Sequence, residues 1–170
     1  MSVSHQPSRK YLISACLVGD NVRYDGNNCL QPQLLQLLRE QRAVSICPEV
    51  IGGLNTPRAA AEIVGGGGLD VLQGRAKVID CTGQDVSAAF IRGAYAALEL
   101  AQQHQVTHVV LKANSPSCGS THIYDGHFGG VKIAADGVTA ALLKQYAYTI
   151  ISEEQFLEQL RHISQEDRDN

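Results

Sequence analysis

The chain has 170 residues, of which 44% are hydrophobic and 18% are charged, and its formal net charge is −3. This length is enough for one domain with a full hydrophobic core, and the composition is that of an ordinary globular protein. The slightly acidic charge excludes the basic surface that binds duplex nucleic acid, so we expect no such partner. Residues 1–10 lack the apolar stretch of a signal peptide, and no segment is long and apolar enough for a membrane helix. We therefore expect a cytoplasmic protein with no membrane partner.

The first half of the chain predicts two strands separated by a helix, followed by a small β excursion. Strands are predicted over 11–15 and 43–46, and Pro32 stands in the first turn of the helix between them. Two prolines and two glycines in the segment 47–58 predict an irregular loop. Short strands over 61–64 and 76–80 predict a hairpin around four consecutive glycines. Because no Gly-Lys-Ser/Thr and no predicted helix follow those glycines directly, we interpret them as a flexible turn rather than a phosphate loop.

The second half predicts further alternation of helices and strands. The elements in order are a helix over 86–103, a strand over 108–113, a long loop to about 137, a helix over 138–146, a strand over 148–151 and a helix over 153–163. Asp85 is the predicted N-cap of the first of these helices, and Ser152 with Gln155 fits a capping box before the last. The residues of the last helix predicted to face the core are Phe156, Leu157, Leu160 and Ile163.

This alternation predicts the fold class. Strands that alternate with helices form a parallel sheet with right-handed crossovers and helices on both faces. We therefore predict a single-domain, Rossmann-like three-layer α/β sandwich with a mostly parallel sheet and a small β excursion. The domain is expected over 11–165, with a disordered tail over 1–10 and a frayed tail over 166–170.

Three of the five cysteines lie at or just past the carboxyl ends of predicted strands: Cys16, Cys47 and Cys118. Because the carboxyl ends of parallel strands meet at one edge of a sheet, these three sulfur atoms should converge on one crevice. Three thiolates form a ligand set for a soft metal or an iron–sulfur cluster, and a tripodal set leaves one coordination position open for substrate. Each cysteine alone is equally typical of a small buried hydrophobe, but their joint placement favours a metal site. We interpret Cys29 and Cys81 as structural residues.

Polar residues adjacent to these cysteines are candidates for the chemistry. Glu49 lies two residues beyond Cys47, where a carboxylate can donate or accept a proton, although the same residue would also suit a solvated surface position. Ser115 and Ser117 precede Cys118 in a loop where they can bind a polar ligand or satisfy turn amides.

Two histidines and several basic residues leave alternatives open. His122 follows Cys118 by four residues, so a zinc site of three cysteines and one histidine is conceivable, and His127 has no assigned role. Nothing in the sequence selects an anion-binding residue among Arg23, Arg58 and Lys112.

Several blocks of the sequence resemble the thiouracil desulfurase family, and they follow the order of that family between about residue 12 and residue 152. The blocks are 13–19, 23–26, 47–54, 56–58, 111–112 with 115–119, 124–126 and 137–143. The resemblance implies a [4Fe–4S] cluster held by Cys16, Cys47 and Cys118. The fourth iron of that cluster would be free to take the sulfur of the substrate.

The resemblance also implies an activity and roles for individual residues. The expected reaction is non-redox removal of sulfide from a thiolated uracil-type base, nucleoside or nucleotide, with water supplying the replacing oxygen. Glu49 would transfer protons and Ser115 would orient the substrate, while Ser14 and Ser117 are expected to contact it. The alternative is a zinc- or cluster-binding module that senses redox state or binds a ligand without turnover.

Overall fold

Four parallel strands form the central sheet of the computed structural model, which describes residues 8–166. The described residues contain eight strands in total, four of them outside this sheet. In chain order they are β1 (Tyr11–Ser14), β2 (Ala43–Ile46), β3 (Ala61–Val64), β4 (Lys77–Asp80), β5 (His108–Leu111), β6 (His122–Tyr124), β7 (Lys132–Ala134) and β8 (Ile150–Ser152). The helices are α1 (Pro32–Arg39), α2 (Pro48–Ile51), α3 (Gly68–Leu72), α4 (Ser87–Gln103), α5 (Val138–Gln145) and α6 (Glu153–Glu166), and a 3-10 helix spans Ala15–Val18. The strand order in the sheet is β2-β1-β5-β8. Of the predicted tails, residues 1–7 and 167–170 lie outside the described residues.

Helices cover both faces of the sheet, which confirms the predicted three-layer α/β architecture. Successive strand residues point to opposite faces, and the burial pattern follows this rule. Leu12 of β1 packs in the core formed with α4 and α5, whereas Ile13 packs in the second core formed with α1 and α6. In β5, Leu111 joins the first core and Val110 joins the second.

The β excursion is confirmed, but the glycines within it are not a flexible turn. β3 and β4 pair antiparallel, and α3 begins directly behind the glycine run. Gly68 is buried, and a Cβ atom there would lie 2.2 Å from the carbonyl oxygen of Gly137. The glycines therefore allow α3 to approach the start of α5 closely.

Three further predictions are wrong in detail. The segment after β2 is not irregular, because Pro48 begins the short helix α2, and proline is compatible with the first position of a helix. The predicted loop after β5 contains an antiparallel hairpin of β6 and β7. Ile163 does not face the core, since 53% of its surface is exposed.

The remaining boundary predictions hold to within a few residues. The capping box before α6 is present, because Gln155 donates its backbone N–H to Ser152 Oγ at 3.2 Å and the Ser152 N–H reaches Gln155 Oε1 at 2.8 Å. Within residues 8–166, the helices are too short or too polar for any of them to traverse a lipid bilayer.

Candidate active site

A cavity of about 410 Å³ opens at the carboxyl ends of β1, β2 and β5. The chain passes from β1 to its neighbour β2 on one side and later enters β5 on the other side of β1. Such a reversal of strand order leaves a crevice between the two connections, and ligands of open α/β sheets bind there. The cavity therefore lies where the topology favours a site.

The three cysteines predicted to converge all line this cavity. Cys16 lies in the 3-10 helix after β1, Cys47 precedes the first residue of α2, and Cys118 lies in the loop after β5. All are free thiols, and Cys16 and Cys118 are buried. Burial raises the pKa of Cys118 to about 12. The pKa of Cys16 is also strongly raised, mainly by burial and to a smaller extent by repulsion from the neighbouring cysteines. Burial also raises the pKa of Cys47, although hydrogen bonds from backbone N–H groups at the start of α2 partly oppose this rise.

Close backbone packing against α4 fixes the position of Cys47 and Glu49. A Cβ atom at Gly93 of α4 would lie 1.9 Å from the Pro48 carbonyl oxygen, and one at Gly52 would lie 2.1 Å from the Ala89 carbonyl oxygen. Only glycine permits these two approaches. The short helix α2 is therefore in direct backbone contact with the long helix α4, which fixes its position.

The loop that carries Cys118 is held by the first turn of α5. The backbone N–H groups of Val138 and Thr139 donate to the carbonyl oxygens of Pro116 and Ser117 at 2.8 and 2.9 Å. The first N–H groups of a helix have no partners within the helix. Here they bind the loop instead, which gives Cys118 a rigid support.

The donor set of the cavity fits an iron–sulfur cluster. Cysteine thiolates are the usual ligands of such clusters, and three of them face one cavity in an otherwise buried environment. Burial raises the pKa of these thiols, and a bound cationic metal centre would offset the cost of burying their thiolate forms. Lys112 lies at the same wall, where its Nζ forms an ion pair with Glu153 Oε1 at 2.7 Å. Burial opposes the charged form of Lys112, but Glu153 and the nearby Cys29 and Cys16 outweigh it and raise the pKa of Lys112.

A single zinc ion fits the site less well. Within residues 8–166, no three His, Cys, Asp or Glu side chains are close enough together to hold one metal ion. Ligands of one zinc ion crowd around it at about 2.0–2.3 Å, whereas cysteines that bind a cluster bind different irons and stand further apart. His122 is exposed and contacts Thr121, and His127 is 85% exposed beside Asp125. Neither histidine lines the cavity.

Glu49 faces the cavity and is held at both carboxylate oxygens. Arg58 Nε donates to Glu49 Oε1 at 3.1 Å, and Ser117 Oγ donates to Glu49 Oε2 at 3.1 Å. Only 16% of the Glu49 side chain and 9% of the Arg58 side chain are exposed. Because both oxygens accept hydrogen bonds, the Glu49 carboxylate is held in a fixed orientation at the cavity wall.

Two of the three predicted serines, Ser115 and Ser117, form a hydrogen-bonded network beside Cys118. Ser115 Oγ accepts the backbone N–H groups of Ser117 and Cys118 and lies 2.9 Å from Ser117 Oγ. Ser117 Oγ is also 3.5 Å from Cys118 Sγ. Ser14 Oγ accepts the Lys112 N–H at 2.9 Å. Ser115, Ser117 and Glu49 thus form a continuous chain of hydrogen bonds.

Several cavity residues escaped the sequence analysis. Arg58 was not distinguished from other basic residues, and its role follows only from its contact with Glu49. Tyr24 and Tyr124 both line the cavity, and each begins a Tyr-Asp-Gly tripeptide. This repeated tripeptide is the signal that could have identified them. Cys29 lies near the site, where Arg23 Nη1 donates to its sulfur at 3.3 Å, whereas Cys81 is exposed and does not line the cavity.

Comparison with known proteins identifies the family. The model of the 2-thiouracil desulfurase family matches residues 11–155. The chain belongs to this family. It is therefore a desulfurase by family membership, and all three predicted cluster ligands, Glu49 and the serines fall within the matched region.

Two similar proteins span most of the chain. An uncharacterised protein of Bacillus subtilis (strain 168), YbbK, is 49% identical to this desulfurase over 142 residues, which cover 84% of this chain and 94% of that protein. The solved structure of TudS, a [4Fe-4S]-dependent thiouracil desulfidase, superposes with a TM-score of 0.78 at 42% identity and covers 92% of this chain and 98% of its own.

Proposed function

We propose that this protein removes sulfide from thiolated uracil-type substrates by hydrolysis. The observation that carries the proposal is the convergence of Cys16, Cys47 and Cys118 on one cavity whose wall holds the Glu49 carboxylate. Water adds its oxygen to the thiocarbonyl carbon, the carbon–sulfur bond breaks, and the sulfur leaves as hydrogen sulfide. No electrons are gained or lost, so no external oxidant or reductant is required.

Cys16, Cys47 and Cys118 would hold a [4Fe–4S] cluster, the cofactor on which the similar protein TudS depends. When bound, the cluster would supply an iron with an open coordination position, a soft Lewis acid that attracts sulfur and weakens the carbon–sulfur bond. The five free cysteines are consistent with a reducing compartment such as the cytosol, where thiolates stay available as ligands.

The residues of the chain supply the proton transfers. Glu49 takes a proton from the attacking water, because its carboxylate faces the cavity and is held ready by Arg58 and Ser117. The same proton can then pass to the departing sulfur or to the ring. Arg58 keeps Glu49 oriented, and Ser117 connects it to the hydrogen-bonded chain that begins at Ser115.

The serines contribute orientation at the sulfur end of the substrate. Ser14 and Ser117 line the cavity next to Cys118, and we assign them contacts with the substrate there. Ser115 fixes the loop through the two N–H groups it accepts, and it orients the substrate through Ser117.

The test is turnover of 2-thiouracil and 4-thiouracil by anaerobically reconstituted protein in ¹⁸O-labelled water. We expect equal amounts of sulfide and uracil, with one labelled oxygen in each uracil formed. The Glu49→Gln variant should retain its iron and lose about 100-fold or more in kcat, as is typical when a general base is removed. Iron-loaded wild-type protein that releases no sulfide, or uracil without the label, would contradict the proposal.

A further inference from the structure

Three aromatic residues line the cavity. The chain has six tyrosines, three phenylalanines and no tryptophan, and Tyr24, Tyr124 and Phe128 all line this one cavity. Phe128 is 41% exposed although it is fully apolar. The exposed part of this ring would gain hydrophobic stabilisation if another molecule covered it.

The backbone holds Phe128 in an unfavourable conformation. Its φ angle is +55°, in the left-handed region that bulky side chains rarely adopt. Backbone conformations of this kind persist only where the surrounding structure enforces them, and they concentrate at functional sites. The exposed ring is therefore not the chance product of a loose loop.

Glu62 supplies the contacts that enforce this conformation. This residue is only 9% exposed, and its Oε1 accepts the backbone N–H groups of Gly126 at 3.0 Å and of Phe128 at 3.2 Å. Gly126 lies so close to β3 that a Cβ atom there would be 2.6 Å from the Ile63 carbonyl oxygen. The loop that carries Phe128 is thus fastened to β3 at two adjacent points.

We infer that Phe128 is a substrate-binding residue that stacks on the flat heterocycle, and that Glu62 is the positioning residue that holds its ring over the cavity. The inference deepens the proposed function and rests on it. A pyrimidine ring presents two flat π faces. An aromatic side chain can stack on such a face whichever substituents the ring carries. The polar groups deeper in the cavity then act on the thiocarbonyl group.

The test measures binding separately from turnover by equilibrium dialysis of reconstituted protein. Two probes divide the substrate into its parts: uracil has the ring without the sulfur, and thiourea has the thiocarbonyl group without the ring. We expect Phe128→Ala to weaken uracil binding about tenfold, within the range of base–aromatic stacking, and to leave thiourea binding unchanged. The KM for 2-thiouracil should rise by a similar factor with little change in kcat.

Matched variants isolate the effect of the ring. Phe128→Tyr keeps an aromatic face and should bind uracil as wild type does. Ile133→Ala removes an apolar side chain, 38% exposed, from the same hairpin without touching the cavity, and it should also have no effect. Glu62→Gln retains an oxygen acceptor and should stay close to wild type, whereas Glu62→Ala should reproduce the uracil defect of Phe128→Ala.

The outcomes separate the two claims. The inference is overturned if Phe128→Ala binds uracil as tightly as wild type, or if it loses uracil and thiourea binding equally. Either result can occur while wild-type protein releases sulfide, which leaves the proposed function in place. Wild-type protein that binds uracil through Phe128 but releases no sulfide from 2-thiouracil would support the ring contact and refute the proposed function.

Discussion

The substitution Gly93→Ala tests how the scaffold positions the site without changing any residue of the cavity. A Cβ atom at this position would lie 1.9 Å from the Pro48 carbonyl oxygen, whereas real Cβ contacts are essentially never shorter than 3.0 Å. Helix α2 must therefore move away from α4 by about 1.1 Å, the difference between these distances. Cys47 and Glu49 move with it, since one precedes this helix and the other lies within it.

Two opposite effects decide whether Gly93→Ala raises or lowers the free energy of unfolding. Alanine within a helix is more favourable than glycine by about 1 kcal/mol at most. Overpacking of a close-packed interface costs about 1–3 kcal/mol. The clashing atoms belong to the backbone of Pro48, which cannot rotate aside as a flexible side chain would. The overpacking cost should therefore lie in the upper part of its range, about 2–3 kcal/mol, and after the helix gain of about 1 kcal/mol the free energy of unfolding should decrease by about 1–2 kcal/mol.

The effect on function should exceed the effect on stability. A misplacement of about 1 Å in an active site can lower turnover about 100-fold. The assay is the iron content and the kcat for 2-thiouracil after anaerobic reconstitution, with Tyr95→Ala as a control on the exposed side of the same helix, where the ring is 52% exposed. A Gly93→Ala variant with wild-type iron content and kcat would refute the argument that α4 sets the position of α2.

Three further predictions follow from other contacts. Gly137→Ala should lower iron retention, because a Cβ atom there would lie 2.6 Å from the Ser117 carbonyl carbon and displace the Cys118 loop; unchanged iron content would contradict this. In iron-free protein at pH 8, iodoacetamide should label exposed Cys81 first and Cys118 last, because with a pKa of about 12 only ~0.01% of that buried thiol is ionised. Peptide mass spectrometry would show the order, and early labelling of Cys118 would be inconsistent with its burial. Asp80→Asn should lower the Tm at pH 7, because bonds from Thr82 and other loop groups hold the pKa of Asp80 below its ordinary value of 3.8. This stabilisation is present above that value and is lost as the pH falls through the lowered pKa, so the Tm difference should vanish in strong acid.

The sequence predicted the sheet and the convergence of the cysteines because both depend on local patterns. The apolar runs at 11–15, 43–46 and 108–113 are short and bounded by turn residues, which restricts them to buried parallel strands. Once the strands are parallel, the residue after each strand must lie at the same edge. The positions of Cys16 and Cys47 at one cavity follow from that inference, whereas Cys118 lies in the loop beyond β5, which the first turn of α5 holds in place.

The contacts that orient the chemistry could not be predicted in this way. Arg58 reaches Glu49 only because the segment after α2 turns back over the cavity, and no local pattern encodes that turn. The same holds for Phe128, whose position depends on Glu62, 66 residues earlier in the chain. Glycines at 52 and 93 are ordinary in sequence, and their function appears only when α2 meets α4.

The central claim is that Cys16, Cys47 and Cys118 together hold a catalytic cluster, and the iron content of reconstituted cysteine variants tests it most directly. Each of the three Cys→Ser variants should lose the visible cluster absorption and the sulfide release from 2-thiouracil. Cys81→Ser, whose side chain is exposed and outside the cavity, should retain about four irons per chain, as wild type should. Full iron uptake by Cys118→Ser, or no iron uptake by wild-type protein, would contradict the account.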